Sequence, residues 1–383
     1  METSLETAPR RSILALCCEE PFRVFFPLGA VLGTIGVSLW PLWYLGWLTT
    51  YPSITHARLM IEGFMASYIV GFLGTAGPRI TSSFPLAMPE VCALLTLDAL
   101  AAGLHAGDAH RAGDFVFVAL LLSFVFVLGR RFRRRSDNPP STFILVALGL
   151  ASGIAGATLT ASHEAALYSR AYQFGNALLN HCFVLLPVLG VAPFFIRRLL
   201  DASEPSRRKL LPTALIAAIG LFVIASYALE PLNAPPAFGL TRALVVTIYF
   251  ASAIPWRGRT FLADWFRVAL AGIVLGLAAI AIFPDMQIGA MHIVFITGFN
   301  LLVFTVATRV VLGHSGQSHL FERRLPFFSA TATLLILAMI SRVAADLAPA
   351  ARAVHLVGAA GCWLLAAALW SAIVLRRVTL AEP

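Results

Sequence analysis

Apolar residues in this chain come in long runs, broken by proline, glycine and clusters of charge, rather than in the mixed apolar and polar spacing of a soluble fold. The runs predict twelve spans, at roughly 24–48, 57–77, 86–104, 112–129, 142–161, 176–198, 211–229, 238–254, 264–283, 288–312, 326–347 and 352–376. A run of about 20 apolar residues is the length a helix needs to cross some 30 Å of hydrocarbon. No water reaches the backbone there, so each span must satisfy its own hydrogen bonds as a helix. The expected fold is all-α: a polytopic membrane protein, a bundle of about twelve transmembrane helices. The connections are short, so residues 1–383 read as one integral membrane domain with a short amino-terminal segment, 1–23, and no soluble domain. No self-similarity is visible between the two halves.

Composition agrees. Of 383 residues, 59% are hydrophobic and 12% charged, where soluble domains carry about 25% charged residues. The net charge of +9 does not point to nucleic acid, because the basic residues lie in the connections and line no polar, aromatic-studded face. Arg130, Arg131, Arg133, Arg134 and Arg135 fall in the fourth connection, and Arg197, Arg198, Arg207, Arg208 and Lys209 in the sixth. Arg10, Arg11, Arg23, Arg79, Arg257, Arg259, Arg323, Arg324, Arg376 and Arg377 join them on one side, against Arg111, Arg170, Arg342 and Arg352 on the other. By the positive-inside rule both termini are cytoplasmic. Glu19 and Glu20 follow a very short apolar stretch, which is not the order of a cleaved signal. The five cysteines show no paired spacing and no disulfide frame. No phosphate-binding loop, C-x-x-C-H or H-E-x-x-H motif supports nucleotide hydrolysis, covalent c-type haem or zincin chemistry.

The same orientation sorts the histidines. His56, His105, His110, His163, His181, His292 and His355 fall in the outward half, and His314 and His319 on the cytoplasmic side. Imidazoles also favour interfaces for their own sake. In THARLMIEGF, His56, Met60 and Gly63 share one helix face while Arg58 and Glu62 share the opposite one. An imidazole and a thioether one turn apart suit copper, or else Met60 packs and His56 ends the helix. Glu62, several residues into an apolar run, needs a partner or a cavity. Arg58 is the nearest partner, in a structural pair or a proton relay. FPDMQIGAMH brings Asp285, Met286, Met291 and His292 to the outer surface. If the second and tenth spans are neighbours, His56, Met60, Met291 and His292 converge on a soft metal, or the two histidines become axial ligands of a haem whose propionate pairs with Arg58. His105, Asp108 and His110 are expected in a mobile outer loop, as solvated residues or a surface metal site. His181, inside LLNHCFVLL, needs a hydrogen bond, a metal or a cavity.

AMHIVFITGFNLLVFTVATRVVLGHSG resembles the tenth-helix region of the NnrS family, which begins His-Ala-Leu-Thr-Val and ends Thr-Arg-Val-x-Leu-Gly-His-Thr-Gly, with His292, Arg309 and His314 in matching register. PFRVFF at 21–26 is similar to that family's Pro-Phe-Arg-Pro-Phe-Phe, and HARLMIEGFMASYIVGFLGTAGP to its His-Ala-His-Glu-Met helix with a Gly-Phe-Leu-x-Thr-Ala turn. The resemblance implies a bacterial inner-membrane protein that binds haem, b-type by expectation, and copper, and that serves the response to nitric oxide or nitrosative stress near denitrification. It implies His56, Met60, His292, Arg309 and His314 as carried-over positions. The family's second histidine is Arg58 here and its glutamate is Leu59, which weakens the copper expectation. Expected partners are the lipid bilayer, a diatomic or nitrogen-oxide ligand, and an electron-donor protein or quinol. A twelve-helix secondary transporter, or a non-catalytic haem or copper sensor or assembly factor, are the competing functions. His292 and His314 lie at opposite ends of one span, about 33 Å apart at 1.5 Å per residue, so they cannot share an ion. Arg309 and His314 are expected to anchor the cytoplasmic loop through Gly313 and Gly316.

Overall fold

In a computed structural model, residues 13–201, 211–230 and 236–380 are described, which leaves Arg10, Arg11, Arg207, Arg208 and Lys209 outside the described residues. Thirteen helices form, with no strand among the described residues. They are α1 (Ile13–Glu19), α2 (Phe22–Tyr44), α3 (Ser53–Ile80), α4 (Met88–Ala106), α5 (His110–Arg133), α6 (Phe143–Ser162), α7 (Arg170–Leu199), α8 (Thr213–Leu229), α9 (Ala237–Ala253), α10 (Phe261–Ile282), α11 (Pro284–His314), α12 (Pro326–Leu347) and α13 (Pro349–Arg377). Ten are long and apolar enough to cross a membrane, and α8 and α9 are apolar helices of 17 residues each. The protein is a polytopic all-α membrane bundle. Proline sets many of the starts: Pro284, Pro326 and Pro349 open α11, α12 and α13, and Pro52, Pro212 and Pro236 precede α3, α8 and α9. Its missing N–H costs nothing there, because the first turn of a helix has no acceptor to offer it.

The helices group in threes of four. Units α2–α5, α6–α9 and α10–α13 share one plan: the first helix packs on the second, and the last packs on the first helix of the following unit. The final contact, α13 on α2, closes the ring. The second helices α3, α7 and α11 are long, at 28, 30 and 31 residues, and are the most buried, at 78%, 89% and 72% of their apolar windows against no more than 56% elsewhere. Each also contains a wide π-helical turn, at Leu59–Met65, Leu178–Cys182 and Ile293–Asn300. Such turns insert a residue into a helix and frequently mark functional sites.

Glycine explains how tightly each pair is drawn together. A Cβ at Gly33 would stand 2.7 Å from Phe64, one at Gly156 2.7 Å from the backbone nitrogen of Leu179, and one at Gly276 2.5 Å from Val294. Gly29, Gly33 and Gly36 on α2 and Gly149, Gly153 and Gly156 on α6 repeat one spacing and face α3 and α7 respectively. The bundle is therefore built in thirds, not in the halves that a six-plus-six carrier would have.

Candidate cofactor-binding site

His56 precedes the π turn of α3, His292 precedes that of α11, and His181 lies inside that of α7. His56 Nδ1 is 2.9 Å from the Gly36 carbonyl and His292 Nδ1 is 2.7 Å from the Ile288 carbonyl. A carbonyl oxygen only accepts, so in both rings Nδ1 carries the proton and Nε2 keeps its lone pair. Neither Nε2 has a hydrogen-bond partner among the described residues. Metal-bound histidines are held in this way, the far N–H fixed on a backbone oxygen and the near nitrogen free. Both rings are half-buried, each within electrostatic reach of Arg342, and His292 also of His56.

His181 is buried, and neither of its ring nitrogens has a hydrogen-bond partner among the described residues. It is stacked between Tyr227, 5.0 Å away by ring centroids, and Phe295, 5.5 Å away. Phe295 also meets His292 edge-on at 6.0 Å, so one ring bridges the two histidines. Burying an imidazole with no partner is costly.

The other candidates are placed differently. Met60 lies beside Gly36, where a Cβ would be 3.3 Å from its sulfur, one helix turn from His56. Met291 is a half-buried side chain packed against the core. Arg58 and Glu62 face away from His56, as the helix periodicity requires, and pair at 3.2 Å.

That pair belongs to a larger buried cluster. Arg58 Nε is 2.7 Å from Asp114 Oδ1, Glu62 Oε2 is 3.1 Å from His105 Nε2, and Thr160 donates to Asp114 Oδ2 at 2.7 Å. His105 was expected in a mobile outer loop; it is instead on α4, fully buried, because the helix runs to Ala106. Its ring stacks on His110, which lies 3.7 Å from Asp108. One ligand atom each from Glu62, His105 and Asp114 lie within 4.8 Å of one another, spacing that can hold a metal ion. The Arg58 guanidinium already supplies a cation to both carboxylates.

Sequence reasoning missed Asp114, Arg342 and Asp98. Asp114 stands one turn inside the apolar run of α5, the same signal that flagged Glu62. Arg342 is buried on α12 and bonds Asp346 at 3.0 Å, and Asp346 accepts from the Gly289 backbone at 2.7 Å, one turn before His292. That clasp sets a guanidinium level with the histidines. Asp98, with no exposure, accepts from Ser67 at 2.7 Å.

At the opposite face, His314 Nδ1 donates to Glu20 at 2.6 Å and its Nε2 lies 3.2 Å from an Arg79 nitrogen. Arg23 donates to Glu20, to the His314 carbonyl and to the carbonyls of Val378 and Leu380. Burial pushes the Glu20 carboxyl up, but its bonds to His314 and Arg23 outweigh that and hold it at about 2. His314 is thus tied to the start of α2 and the end of α13 and not to the loop glycines, while Arg309 covers Gly313 and stacks 3.6 Å from the Phe321 ring.

A family model described as NnrS protein matches residues 17–380. The chain belongs to the NnrS family. No curated protein matches it. For this NnrS family member the donors suit haem: two histidines with bare Nε2 atoms, an orphaned His181, a neighbouring guanidinium and the aromatic rings of Phe295 and Trp40 beside the imidazoles. Copper fits less well on α3, because Arg58 stands where the family pattern has its second histidine and offers no lone pair.

Proposed function

We propose that this NnrS family member is a haem-binding redox protein of the bacterial inner membrane, serving the nitric oxide or nitrosative stress response. The observation that carries the proposal is the paired arrangement of His56 and His292, each with Nδ1–H fixed on a backbone carbonyl and Nε2 left bare. His56 and His292 would hold the iron, and Arg342, level with them, would pair with a propionate. Bound haem would supply one-electron chemistry. The chain's own part is to fix the two imidazole tautomers, to surround the ring with apolar and aromatic side chains, and to keep bulk water out. His181, which shares Phe295 with His292, is a further imidazole that would hold a second metal, copper in particular. The arginine-rich connections orient the bundle, with both termini in the cytoplasm and the histidine layer towards the outer side. Electrons would come from a protein or quinol donor. The plan of thirds disfavours the transporter alternative, whose mechanism needs two facing halves.

The test is a visible spectrum with metal analysis of the detergent-purified protein. A Soret band with about one iron or more per chain is expected. His292→Ala should abolish that band while the protein still runs as a folded species. A colourless, metal-free but folded preparation would defeat the proposal.

A further inference from the structure

The second helices of the three units line a partly open cavity of about 80 Å³. Its wall is formed by residues of α3, α7 and α11, with Phe26 of α2 and Phe266 of α10 at the sides. α3 brings the large side chains of Met65, Tyr68 and Phe72 to this wall, whereas α7 and α11 bring the shorter Pro187, Val188, Ala192, Val303 and Val306, which leave the space unfilled. The cavity begins about one helix turn below His181, since Val184 lies on its wall.

Its chemistry is restrictive. The hydroxyl of Tyr68 is the one side-chain N–H or O–H group among its lining residues, and it is buried with no partner among the described residues. A water molecule needs two to four polar partners, so a cavity of this kind stays dry. Apolar cavities of about 150 Å³ take benzene or xenon, and pockets for drug-sized molecules run from about 300 Å³ upward. The space therefore excludes haem, quinol and any ionic nitrogen oxide. It accepts an uncharged molecule of two or three heavy atoms.

We propose that this cavity is a binding site for a small neutral gas molecule, held one turn from His181 on the route to the histidine layer. The gas-handling role rests on the redox reading of His56 and His292, but occupancy of the cavity does not, because its wall is made by the chain's own apolar side chains. Partition into it also selects, since a gas dissolved in the bilayer loses no hydration on entering whereas nitrite or nitrate would lose all of it.

Xenon is the probe, applied under pressure to crystals of the full-length protein or followed by xenon NMR of the protein in detergent. One xenon between Met65, Val188 and Val303 is expected, together with loss of that signal in Val303→Phe. Ala192→Leu fills the same space from the opposite wall, so a misfolded Val303→Phe does not end the test. Absence of xenon from the cavity of the folded wild-type protein, or ordered water in it, would overturn the proposal. The two readings fail separately: a Soret band without xenon in the cavity removes the gas site and keeps the haem, and xenon there in a colourless protein does the reverse.

Discussion

Two buried polar groups lie in the same half of this bundle and have opposite bookkeeping. In the cluster of Arg58, Glu62, His105 and Asp114, every carboxylate oxygen lies within 3.2 Å of a basic or hydroxyl group, although His105 Nδ1 has no hydrogen-bond partner among the described residues. In the histidine layer, His56 and His292 each use one nitrogen and leave the other bare, and His181 uses neither. The ingredients are alike, since both sets are imidazoles embedded in apolar helices. What differs is whether the protein supplies the counter-charge. A charge-paired cluster is explained by joining α3 to α4, α5 and α6, whereas the histidine layer asks for something that the chain itself does not supply.

The largest effect should separate the two regions outright. His56→Ala is expected to remove the haem absorbance, and Asp114→Ala to leave it in whatever fraction folds, as read by a spectrum normalised to folded protein. Loss of haem in Asp114→Ala at full folding would erase the distinction drawn above. Asp114→Ala should instead lower stability by about 3–5 kcal/mol, because it strips a buried guanidinium of its closest counter-charge. Thermal unfolding in detergent measures it.

A smaller effect tests the close packing that carries the histidine layer. Gly156→Ala places a methyl 2.7 Å from one backbone atom and 2.8 Å from another, so neither neighbour can swing aside, and a cost of about 1–3 kcal/mol is expected. Gly103→Ala, with nothing within 4 Å, should be neutral or stabilising by up to about 1 kcal/mol. Equal melting temperatures for the two variants would contradict the packing argument.

The smallest effect belongs to the opposite face. The Glu20 carboxyl is held at about 2 against an ordinary 4.5. The stability it lends is complete above the ordinary value and disappears as the pH falls through about 2. The wild-type melting temperature should therefore drop more steeply over that window than that of Glu20→Gln, which has no carboxylate to protonate.

Much of this was readable in the residues. Apolar run length located twelve helices to within several residues, ten of them long and apolar enough to cross a membrane, because the hydrocarbon thickness leaves a spanning helix little choice of length. Helix periodicity also put His56 and Met60 on one face and Arg58 and Glu62 on the other, and proximity along the chain found the Arg58–Glu62 pair. His105 was misplaced because Gly107 and Asp108 make its neighbourhood read as a loop, although the helix closes only after Ala106. The repeat in thirds left a trace in the glycine spacing of α2 and α6, but glycine is common in membrane helices and gives no hint of which helix it will touch.

By itself, then, the sequence determined that the chain is a helical membrane bundle, where its helices run, and which residues share a helix face. These follow from solvent and from the 3.6-residue turn, and both act locally. Only the tertiary structure decided that Asp114 and His105 join the Arg58 pair, that Arg342 stands level with His56 and His292, that His314 is tied to Glu20, and that three helices line one apolar space. Each of those facts joins residues far apart in the chain. They depend on which helices lie side by side, and neither apolar length nor helical period encodes that.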